Sequence, residues 1–252
     1  MKFNYHTHTK RCNHAQGDER AYVESAIENG FQVLGFSDHA PYNFPHPTFY
    51  SSFRMQREEL EEYAENVRAL AKEYEKDIRI LCGFELEYYP DFHKEQMSFL
   101  SKVKPDYLIL GQHFIGNEIY DLASPRLNGD LGLSAYVSQV LAGLATGDFL
   151  YLAHPDLAGF HFSPQIVEQE YRRLCEGAKR MGIPIEINFL GLRTNRHYPN
   201  KILFKIAAEA GNDIIFGWDA HSPQELYDPS SEQTAREWVK ELGLHIIDKP
   251  IL

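Results

Sequence analysis

The sequence repeats one structural unit: a polar, periodic stretch, then a glycine, then a short apolar run rich in β-branched residues. A glycine in this position is typical of a helix C-cap, where a left-handed residue lets the chain turn into the next strand. The unit occurs at Gly30, Gly182, Gly211 and Gly243, and further apolar runs lie at 78–84, 107–110 and 149–153. The pattern predicts helices and strands that alternate along the chain.

The helical stretches and the apolar runs together indicate the kind of sheet. Apolar stripes at helical spacing comprise Leu60, Tyr63, Val67, Leu70 and Tyr74 in one stretch, and Val167, Tyr171, Leu174, Ala178 and Met181 in another. Runs without polar alternation suit strands that are buried on both faces, as in a parallel sheet covered by helices. With seven or eight strand candidates, the sequence predicts an α/β fold that is either doubly wound or closed into a barrel.

Length and charge exclude several classes of function. The chain of 252 residues contains no linker, low-complexity segment or fixed-period repeat, so we expect a single domain over residues 1–252. Its net charge of −11 argues against a nucleic-acid partner, because clustered basic residues bind phosphate backbones. We find no signal peptide and no apolar stretch that could cross a bilayer, and the three cysteines lack paired spacing. We therefore expect a soluble cytoplasmic protein that does not bind membranes.

Histidines and carboxylates follow nearly every apolar run. These strand ends carry His6 and His8, Asp38 and His39, Glu85 and Glu87, His113, His154, and Asp219 and His221. With His14 in the first loop, seven of the 12 histidines lie at or next to a predicted strand end. The carboxyl ends of parallel barrel strands meet at one face, where such enzymes place their active sites. This convergence favours an irregular barrel over an open sheet and predicts a metal centre.

The types of ligand indicate the chemistry of that centre. Imidazole and carboxylate groups without a thiolate arrangement suit Zn, Fe or Mn in a catalytic site with open coordination positions. The candidate ligands exceed the need of one ion, so we expect two or three divalent ions, with a carboxylate such as Glu85 bridging two of them. Clustered ions perform hydrolysis by activating a water and holding the attacking and leaving oxygens. No nucleophile elbow, Walker-type loop or dinucleotide fingerprint suggests another chemistry.

These residues resemble the PHP (polymerase and histidinol phosphatase) family of metal-dependent phosphoesterases over essentially the whole chain. The matching motifs are His6-Thr7-His8, Ser37-Asp38-His39, Gly83-Phe84-Glu85, the isolated His113, the His154 strand end and Asp219-Ala220-His221. The resemblance implies an irregular seven-stranded parallel (β/α) barrel of the PHP type with a trinuclear metal site. The first ion would be held by His6, His8, Glu85 and Asp219, the second by Glu85, His113 and His154, and the third by His14, His39 and His221.

Within the family, the sequence is most similar to the histidinol-phosphatase branch. Four stretches carry this finer match: 6–15, 38–41, Arg54-Met55, and Gly191-Leu192-Arg193 followed by Tyr198-Pro199. The branch implies a phosphoric monoester hydrolase of histidine biosynthesis that converts L-histidinol phosphate to L-histidinol and phosphate. A metal-bound hydroxide between the first two ions would attack phosphorus, and the sequence does not identify the general acid. The chain departs from the branch at Glu87, where the pattern has Asp.

Three further residues are candidates for binding the small phosphorylated substrate. Arg193 follows the one strand that ends without a metal ligand, and its guanidinium could grip phosphate oxygens in a bidentate way; the alternative is a surface ion pair. Arg54 follows an aromatic loop that reads as a lid, and could instead solvate a helix N-terminus. Glu87 could support the metal ligands or bind the substrate's ammonium group. Arg196 and His197 are interpreted as ordinary loop polarity.

Other functions stay open at this point. The nearest alternative is the same chemistry on another small phosphate ester or on phosphotyrosine. A non-catalytic metal-binding module is an alternative from a different class, although no expected ligand is missing. A metal-dependent C–N hydrolase is less favoured because no lysine ends a predicted strand. His46, His93, His161 and His245 lie away from the strand ends and are expected at the surface or in packing.

Overall fold

The computed structural model describes residues 2–44, 49–120, 123–127, 129–159 and 162–252. Within these ranges the strands are β1 (Lys2–Asn4), β2 (Phe31–Phe36), β3 (Arg79–Leu86), β4 (Tyr107–Leu110), β5 (Ile185–Asn188), β6 (Asp213–Gly217) and β7 (His245–Ile246). The α-helices are α1 (Glu19–Glu28), α2 (Leu60–Glu73), α3 (His93–Leu100), α4 (Asp130–Leu144), α5 (Pro164–Met181), α6 (Phe189–Arg193), α7 (Lys201–Ala210) and α8 (Pro229–Leu242). The predicted α/β alternation is confirmed.

The strands are parallel and form two sheets, of order β1-β2-β3-β4 and β5-β6-β7. The predicted strand at 149–153 is wrong, because that run contributes one residue, Leu152, which bridges Leu110 of β4 and Ile185 of β5. Another isolated bridge joins Thr7, beyond β1, to Ala220, beyond β6. The described residues therefore form two curled parallel sheets joined by isolated bridges, and the irregular seven-stranded barrel stays a prediction.

Glycine ends several helices, as the sequence predicts. Gly182, Gly211 and Gly243 cap α5, α7 and α8 with φ of 68°, 72° and 68°, a left-handed conformation that costs glycine little. Each cap turns the chain toward β5, β6 or β7. The positions where these helices end and the next strands begin therefore follow from helix-stop signals that are visible in the sequence.

Two groups of buried apolar side chains hold the fold together. The larger lies between the strands and the helices and includes the predicted α2 stripe of Leu60, Tyr63, Val67 and Leu70. The smaller group contains no residue from a helix. Its members lie in the strands or next to strands and bridges: Phe3, Tyr5, Val33, Leu81, Tyr107, Ile109, Tyr151, Ala153 and Ile215. These side chains fill the interior of the curled sheets. The carboxyl ends of the strands therefore lie above a layer of packed apolar side chains.

No helix among the described residues is long and apolar enough to cross a membrane. Of the histidines that the sequence places away from the strand ends, His93 and His245 pair with Asp148 and Asp213 on the surface helices and sheet edge. His46 and His161 lie outside the described residues.

Candidate metal centre

The strand ends bring the nine predicted metal ligands to one place. They are His6 and His8 after β1, His14 in the following loop, His39 after β2, Glu85 in β3, His113 after β4, His154 after the Leu152 bridge, and Asp219 and His221 after β6. Eight of them line one cavity of about 390 Å³, and the ninth, His6, is fully buried against Glu85. The predicted convergence is therefore present in the structure.

Glu85 lies at the centre of the cluster. Its Oε2 atom is 3.5 Å from His6 Nε2, 3.3 Å from His8 Nε2 and 3.1 Å from His39 Nδ1. Its Oε1 atom is 2.8 Å from His154 Nε2 and 3.6 Å from His113 Nε2. One carboxylate thus faces five imidazoles, which is the arrangement that a bridging ligand requires.

Asp219 is the second carboxylate of the cluster. Its Oδ1 atom lies 3.5 Å from His6 Nε2, 3.3 Å from His8 Nε2 and 3.3 Å from His221 Nδ1. The ring of His221 stacks on His8 at 4.3 Å, and the ring of His14 lies 4.9 Å from that of His221. Asp219 therefore connects the group around Glu85 with the more open group around His14.

Buried ligand atoms without a hydrogen-bond partner test whether these residues suit a metal. His6 Nε2, His8 Nε2, His39 Nδ1, Glu85 Oε2 and Asp219 Oδ1 are all buried and lack such a partner. Leaving polar atoms in this state costs free energy that cation coordination would recover. Several triplets, such as His6, His8 and Glu85, have their ligand atoms within 4.8 Å of one another. The residues fit a cluster of divalent ions, and imidazole with carboxylate suits Zn, Fe or Mn.

The same charges shift the pKa values of the ligands. Burial opposes protonation of His6, but Asp219, Glu186 and Glu85 raise its pKa to about 10. Burial and the neighbouring His8 lower the pKa of His221 to about 3. The surrounding histidines hold the pKa of Glu85 well below its ordinary value, against the effect of burial. The carboxylates are therefore ionised, and a cation at their centre would compete with protons for the imidazole nitrogens.

Glu186 and Asn188 of β5 contact the candidate ligands without lining the cavity, and the sequence analysis missed both. Glu186 is fully buried, and its Oε1 atom lies 2.7 Å from His6 Nδ1. Asn188 Nδ2 donates to Asp219 Oδ2 at 2.9 Å. Their position inside the apolar run 183–188 could have revealed both residues. Unpaired polar groups are rare in a buried strand, so a charged residue and an amide there indicate polar partners elsewhere in the fold.

Cys12 is a further neighbour that the sequence did not place in the cluster. The expectation from the sequence was a site with no thiolate arrangement. The Cys12 sulfur lies within 4.8 Å of ligand atoms of His14 and His221, although burial raises the pKa of this thiol to about 12. Imidazole and carboxylate groups far outnumber this single thiol, so they remain the principal candidate ligands.

Glu87 contacts a ligand rather than the cavity. It is fully buried; its Oε1 atom is 2.9 Å from His113 Nδ1, and Oε2 accepts from Arg54 Nη1 at 3.0 Å. Arg54 is 1% exposed and also donates from Nε to Glu118 at 2.9 Å. Burial alone would raise the pKa of Glu87, but Arg54 and His113 lower it. These contacts favour a supporting role for both predicted residues, and direct substrate contact by either stays a prediction.

Arg193 contacts the strand end that carries Asp219. Its guanidinium donates to the carbonyl oxygens of Trp218 and Asp219 at 3.2 and 3.1 Å and to Asp228 at 2.9 Å. It also pairs at 3.2 Å with Glu225, whose Oε2 accepts from the backbone N–H of His221 at 2.6 Å. Arg193 thus holds this loop through both of its Nη atoms, while its buried Nε atom has no hydrogen-bond partner among the described residues.

The cavity walls come from residues that were not predicted as site residues, among them Arg196, which the sequence analysis interpreted as ordinary loop polarity. They are Phe53, Pro125, Leu157, Leu190, Arg196 and Tyr198. Arg196 Nη1 donates to the Tyr198 hydroxyl at 2.7 Å, and the Phe53 ring lies 4.3 Å from that of His39. The cavity therefore combines an apolar wall with a cation and a phenol above the ligand cluster.

Two of the candidate ligands have a strained backbone. His154 has φ of 27° and Asp219 has φ of 46°, which are uncommon for residues with a side chain. Such conformations cost about 1–3 kcal/mol each and persist where the surroundings enforce them, often at functional sites. Glu186 Oε2 accepts from the His154 N–H at 2.9 Å, and Arg193 holds the Asp219 carbonyl. Both strained positions are therefore fixed by charged side chains, of which Glu186 is fully buried and Arg193 is partly buried.

Comparisons with known proteins bear on the family to which this chain belongs. A model of the PHP domain matches residues 4–189. The probable histidinol-phosphatase of Deinococcus radiodurans is 29% identical over 231 residues, which cover 88% of this chain and 86% of that protein. The histidinol-phosphatase of Bacillus subtilis is 36% identical over 115 residues, covering 44% of this chain and 43% of the relative.

A solved structure shares the fold. The histidinol phosphate phosphatase of Lactococcus lactis, crystallised with zinc, L-histidinol and phosphate, superposes with a TM-score of 0.72 at 21% identity. The match covers 98% of this chain and 95% of that one, so the two chains have the same architecture almost throughout. Because the PHP model spans most of the sequence, including seven of the nine candidate ligands, the chain belongs to the PHP domain family.

Proposed function

We propose that this protein is a metal-dependent phosphomonoesterase that hydrolyses L-histidinol phosphate to L-histidinol and phosphate. The observation that carries the proposal is the position of Glu85, which faces five histidines at the floor of a cavity of about 390 Å³. The similarity to proteins named histidinol-phosphatases supports the choice of substrate.

The proposed ligand sets follow the three groups of the cluster. His6, His8, Glu85 and Asp219 would hold one ion, Glu85, His113 and His154 a second, and His14, His39 and His221 a third. When bound, divalent ions supply Lewis-acid chemistry, since they polarise phosphoryl oxygens and make water nucleophilic near neutral pH. The unpartnered atoms of His6, His8, His39, Glu85 and Asp219 support cation binding at these positions.

Arg196 and Tyr198 are the best-placed groups for the phosphoryl oxygens. Both line the cavity, and among the described residues the Arg196 guanidinium donates a hydrogen bond only to the Tyr198 hydroxyl, which uses one of its five N–H groups. Since that hydroxyl accepts from Arg196, its own hydrogen can be donated into the cavity. Charge-assisted bonds from a guanidinium suit the phosphate oxygens of the bound ester and of the transition state alike. Arg193 would act on the reaction through Asp219, and its direct contact with phosphate stays a prediction.

Phe53, Leu157 and Leu190 suit the leaving group. They form an apolar wall beside the ligands, where a planar ring such as imidazole could pack. Both oxygens of Glu87 are engaged by His113 and Arg54, which supports its role in orienting His113 over its role in binding an ammonium group. We also propose that residues 1–252 form one domain and that the two sheets act together as an irregular barrel around this cavity.

The test is phosphate release by purified, metal-analysed protein. L-histidinol phosphate, nitrophenyl phosphate, phosphotyrosine and a nucleoside monophosphate are compared by kcat/KM. We expect histidinol phosphate to lead by about a thousandfold, or about 4 kcal/mol of transition-state discrimination. Equal rates on all four esters would favour the alternative of a phosphoesterase without this specificity. Bound ions without any hydrolysis would favour a non-catalytic metal-binding protein.

A further inference from the structure

Glu186 makes contacts that connect three of the candidate ligands. It lies in the middle of β5, fully buried, and does not itself line the cavity. Its Oε1 atom faces His6 Nδ1 at 2.7 Å. Its Oε2 atom accepts from the backbone N–H of His154 and from Asn188 Nδ2, both at 2.9 Å. These contacts account for both carboxylate oxygens.

The contact with His6 selects one tautomer of the imidazole. A carboxylate can only accept a hydrogen bond, so His6 Nδ1 must carry the hydrogen. The other nitrogen, Nε2, points toward Glu85 and Asp219 at 3.5 Å from each. A neutral imidazole with its hydrogen on Nδ1 presents a lone pair at Nε2, which is the form that coordinates a metal.

Asn188 extends the contacts of Glu186 to Asp219. Its Nδ2 atom donates to Glu186 Oε2 and to Asp219 Oδ2, each at 2.9 Å. Its Oδ1 atom accepts from the N–H of Gly191 at the start of α6, which fixes the amide in this orientation. His154 and Asp219 are the two candidate ligands with a left-handed backbone, so Glu186 is connected to both strained strand ends.

Gly217 provides the space that Glu186 occupies. A β-carbon at residue 217 would lie 1.6 Å from Glu186 Oε1 and 2.3 Å from its carboxyl carbon. No side chain larger than hydrogen is compatible with the observed position of the carboxylate. The glycine at the end of β6 is therefore coupled to a carboxylate on the neighbouring strand.

We infer that Glu186 is a positioning residue that sets the tautomer of His6 and holds His154 and Asp219 in place for the first two ions. The inference rests on the proposed metal-dependent function. In the described residues, Glu186 makes no hydrogen bond to His14, His39 or His221, so its effect should be confined to the first two ligand sets.

Glu186→Gln tests the inference because the amide has nearly the same shape but only one acceptor. The three donors around the carboxylate cannot all be satisfied by one oxygen. The oxygen can serve both His154 N–H and Asn188 if the NH₂ group faces His6 Nδ1. That orientation makes Nδ1 an acceptor, moves the hydrogen of a neutral His6 to Nε2 and blocks metal coordination there.

Two measurements on the zinc-loaded protein report this change. Long-range ¹H–¹⁵N correlation spectra of histidine-labelled protein identify the tautomer of His6, and competition with a chromogenic chelator gives the zinc affinities. We expect the His6 signal to change tautomer, and the affinity for the first two ions to fall about 10- to 100-fold. Glu170→Gln is the matched control, because Glu170 is equally buried but contacts Ser134 and Arg173.

Gly217→Ala provides a second variant that removes no hydrogen-bonding group. It should displace the Glu186 carboxylate and weaken zinc binding in the same range, while circular dichroism verifies that the variant is folded. The inference is overturned if folded Glu186→Gln and Gly217→Ala proteins keep the parent tautomer and zinc affinities. If the parent protein binds zinc and hydrolyses the ester in that case, only the inference fails. A parent protein that binds no divalent ion would overturn the proposed function as well.

Discussion

Glu85 occupies the space that a side chain at Gly111 would need. A β-carbon on Gly111 would lie 1.8 Å from Glu85 Oε1 and 2.6 Å from its carboxyl carbon. Gly111 directly follows β4, whose Ile109 and Leu110 pair with Glu85 and Leu86 of β3. The central carboxylate of the candidate metal centre therefore reaches the five histidines only because the neighbouring strand ends in glycine.

Gly111→Ala is expected to disrupt the centre without removing any ligand. Because the methyl group must displace Glu85, we expect kcat/KM to fall about 100-fold, the typical cost of an ångström-scale misplacement of a reacting group. Metal content should fall in parallel. The measurements are steady-state kinetics on the phosphate ester and metal analysis after gel filtration.

Gly132→Ala is the control for that substitution. Gly132 lies in α4, and a β-carbon there would meet nothing closer than 3.6 Å. We expect unchanged kinetics and a gain in stability of about 0.5–1 kcal/mol, since alanine is favoured over glycine in a helix. Normal metal content in Gly111→Ala would mean that Glu85 can move aside and is not a bridging ligand.

Arg193 and Arg196 should have separable kinetic effects. Arg193→Lys keeps the charge but loses the fork that holds the Trp218 and Asp219 carbonyls, so we expect lower kcat and weaker metal binding with little change in KM. Arg196→Ala removes a cation from the cavity wall. The loss of a charge-assisted hydrogen bond of about 2 kcal/mol should raise KM about 30-fold and leave metal content unchanged.

Arg172→Ala is the control for both arginine variants. Arg172 lies on α5, where it pairs with Glu168 and Glu209 at the surface. Arg172→Ala should have the same kcat, KM and metal content as the parent protein. The opposite pattern, with KM raised by Arg193→Lys and not by Arg196→Ala, would restore Arg193 as the phosphate-binding residue that the sequence predicts.

The strand-end ligands could be predicted because their chemistry and their position are both visible in the sequence. Short apolar runs that stop at histidine, aspartate or glutamate reveal where parallel strands end, and the carboxyl ends of such strands converge. His154 was found in this way although its run forms only two isolated bridges, both at Leu152, and not a strand. The position of the ligand thus survived an incorrect strand assignment.

The supporting residues could not be predicted because their roles depend on partners far along the chain. Glu186 meets His6 across 180 positions, and Arg54 meets Glu118 across 64. Arginine and glutamate are usually exposed, so their types suggested a surface or a substrate contact. Only the packing of neighbouring strands reveals that these charges are buried together. In the same way, only the structure reveals that Arg196 lines the cavity and that Arg193 does not.

Arg54→Met is expected to destabilise the fold strongly. It would leave Glu87 and Glu118 buried without the guanidinium that lies between them. Breaking a buried ion pair by removing one partner typically costs about 3–5 kcal/mol. Urea unfolding should show a lower midpoint, and His113 should lose its fixed orientation because Glu87 holds both residues.

Arg20→Met is the control for Arg54. Arg20 pairs with Glu73 on the exposed faces of α1 and α2, where such pairs contribute little. We expect no measurable shift of the urea midpoint. An equally small shift for Arg54→Met would mean that the two carboxylates take up protons or find other partners when the guanidinium is removed.

Divalent ions should stabilise the protein through the strand-end ligands. A ligand that binds only the folded state adds about 2.7 kcal/mol at a concentration 100 times its Kd. For a chain of this size, about 2–4 °C of Tm corresponds to each kcal/mol, so zinc or manganese should raise Tm by about 5–10 °C over the chelated protein.

His8→Ala should lose most of this shift, because His8 contacts both Glu85 and Asp219. His245→Ala, which alters an exposed histidine at β7, should keep it. Scanning calorimetry against metal concentration measures both, and equal shifts in the two variants would show that the ions bind elsewhere.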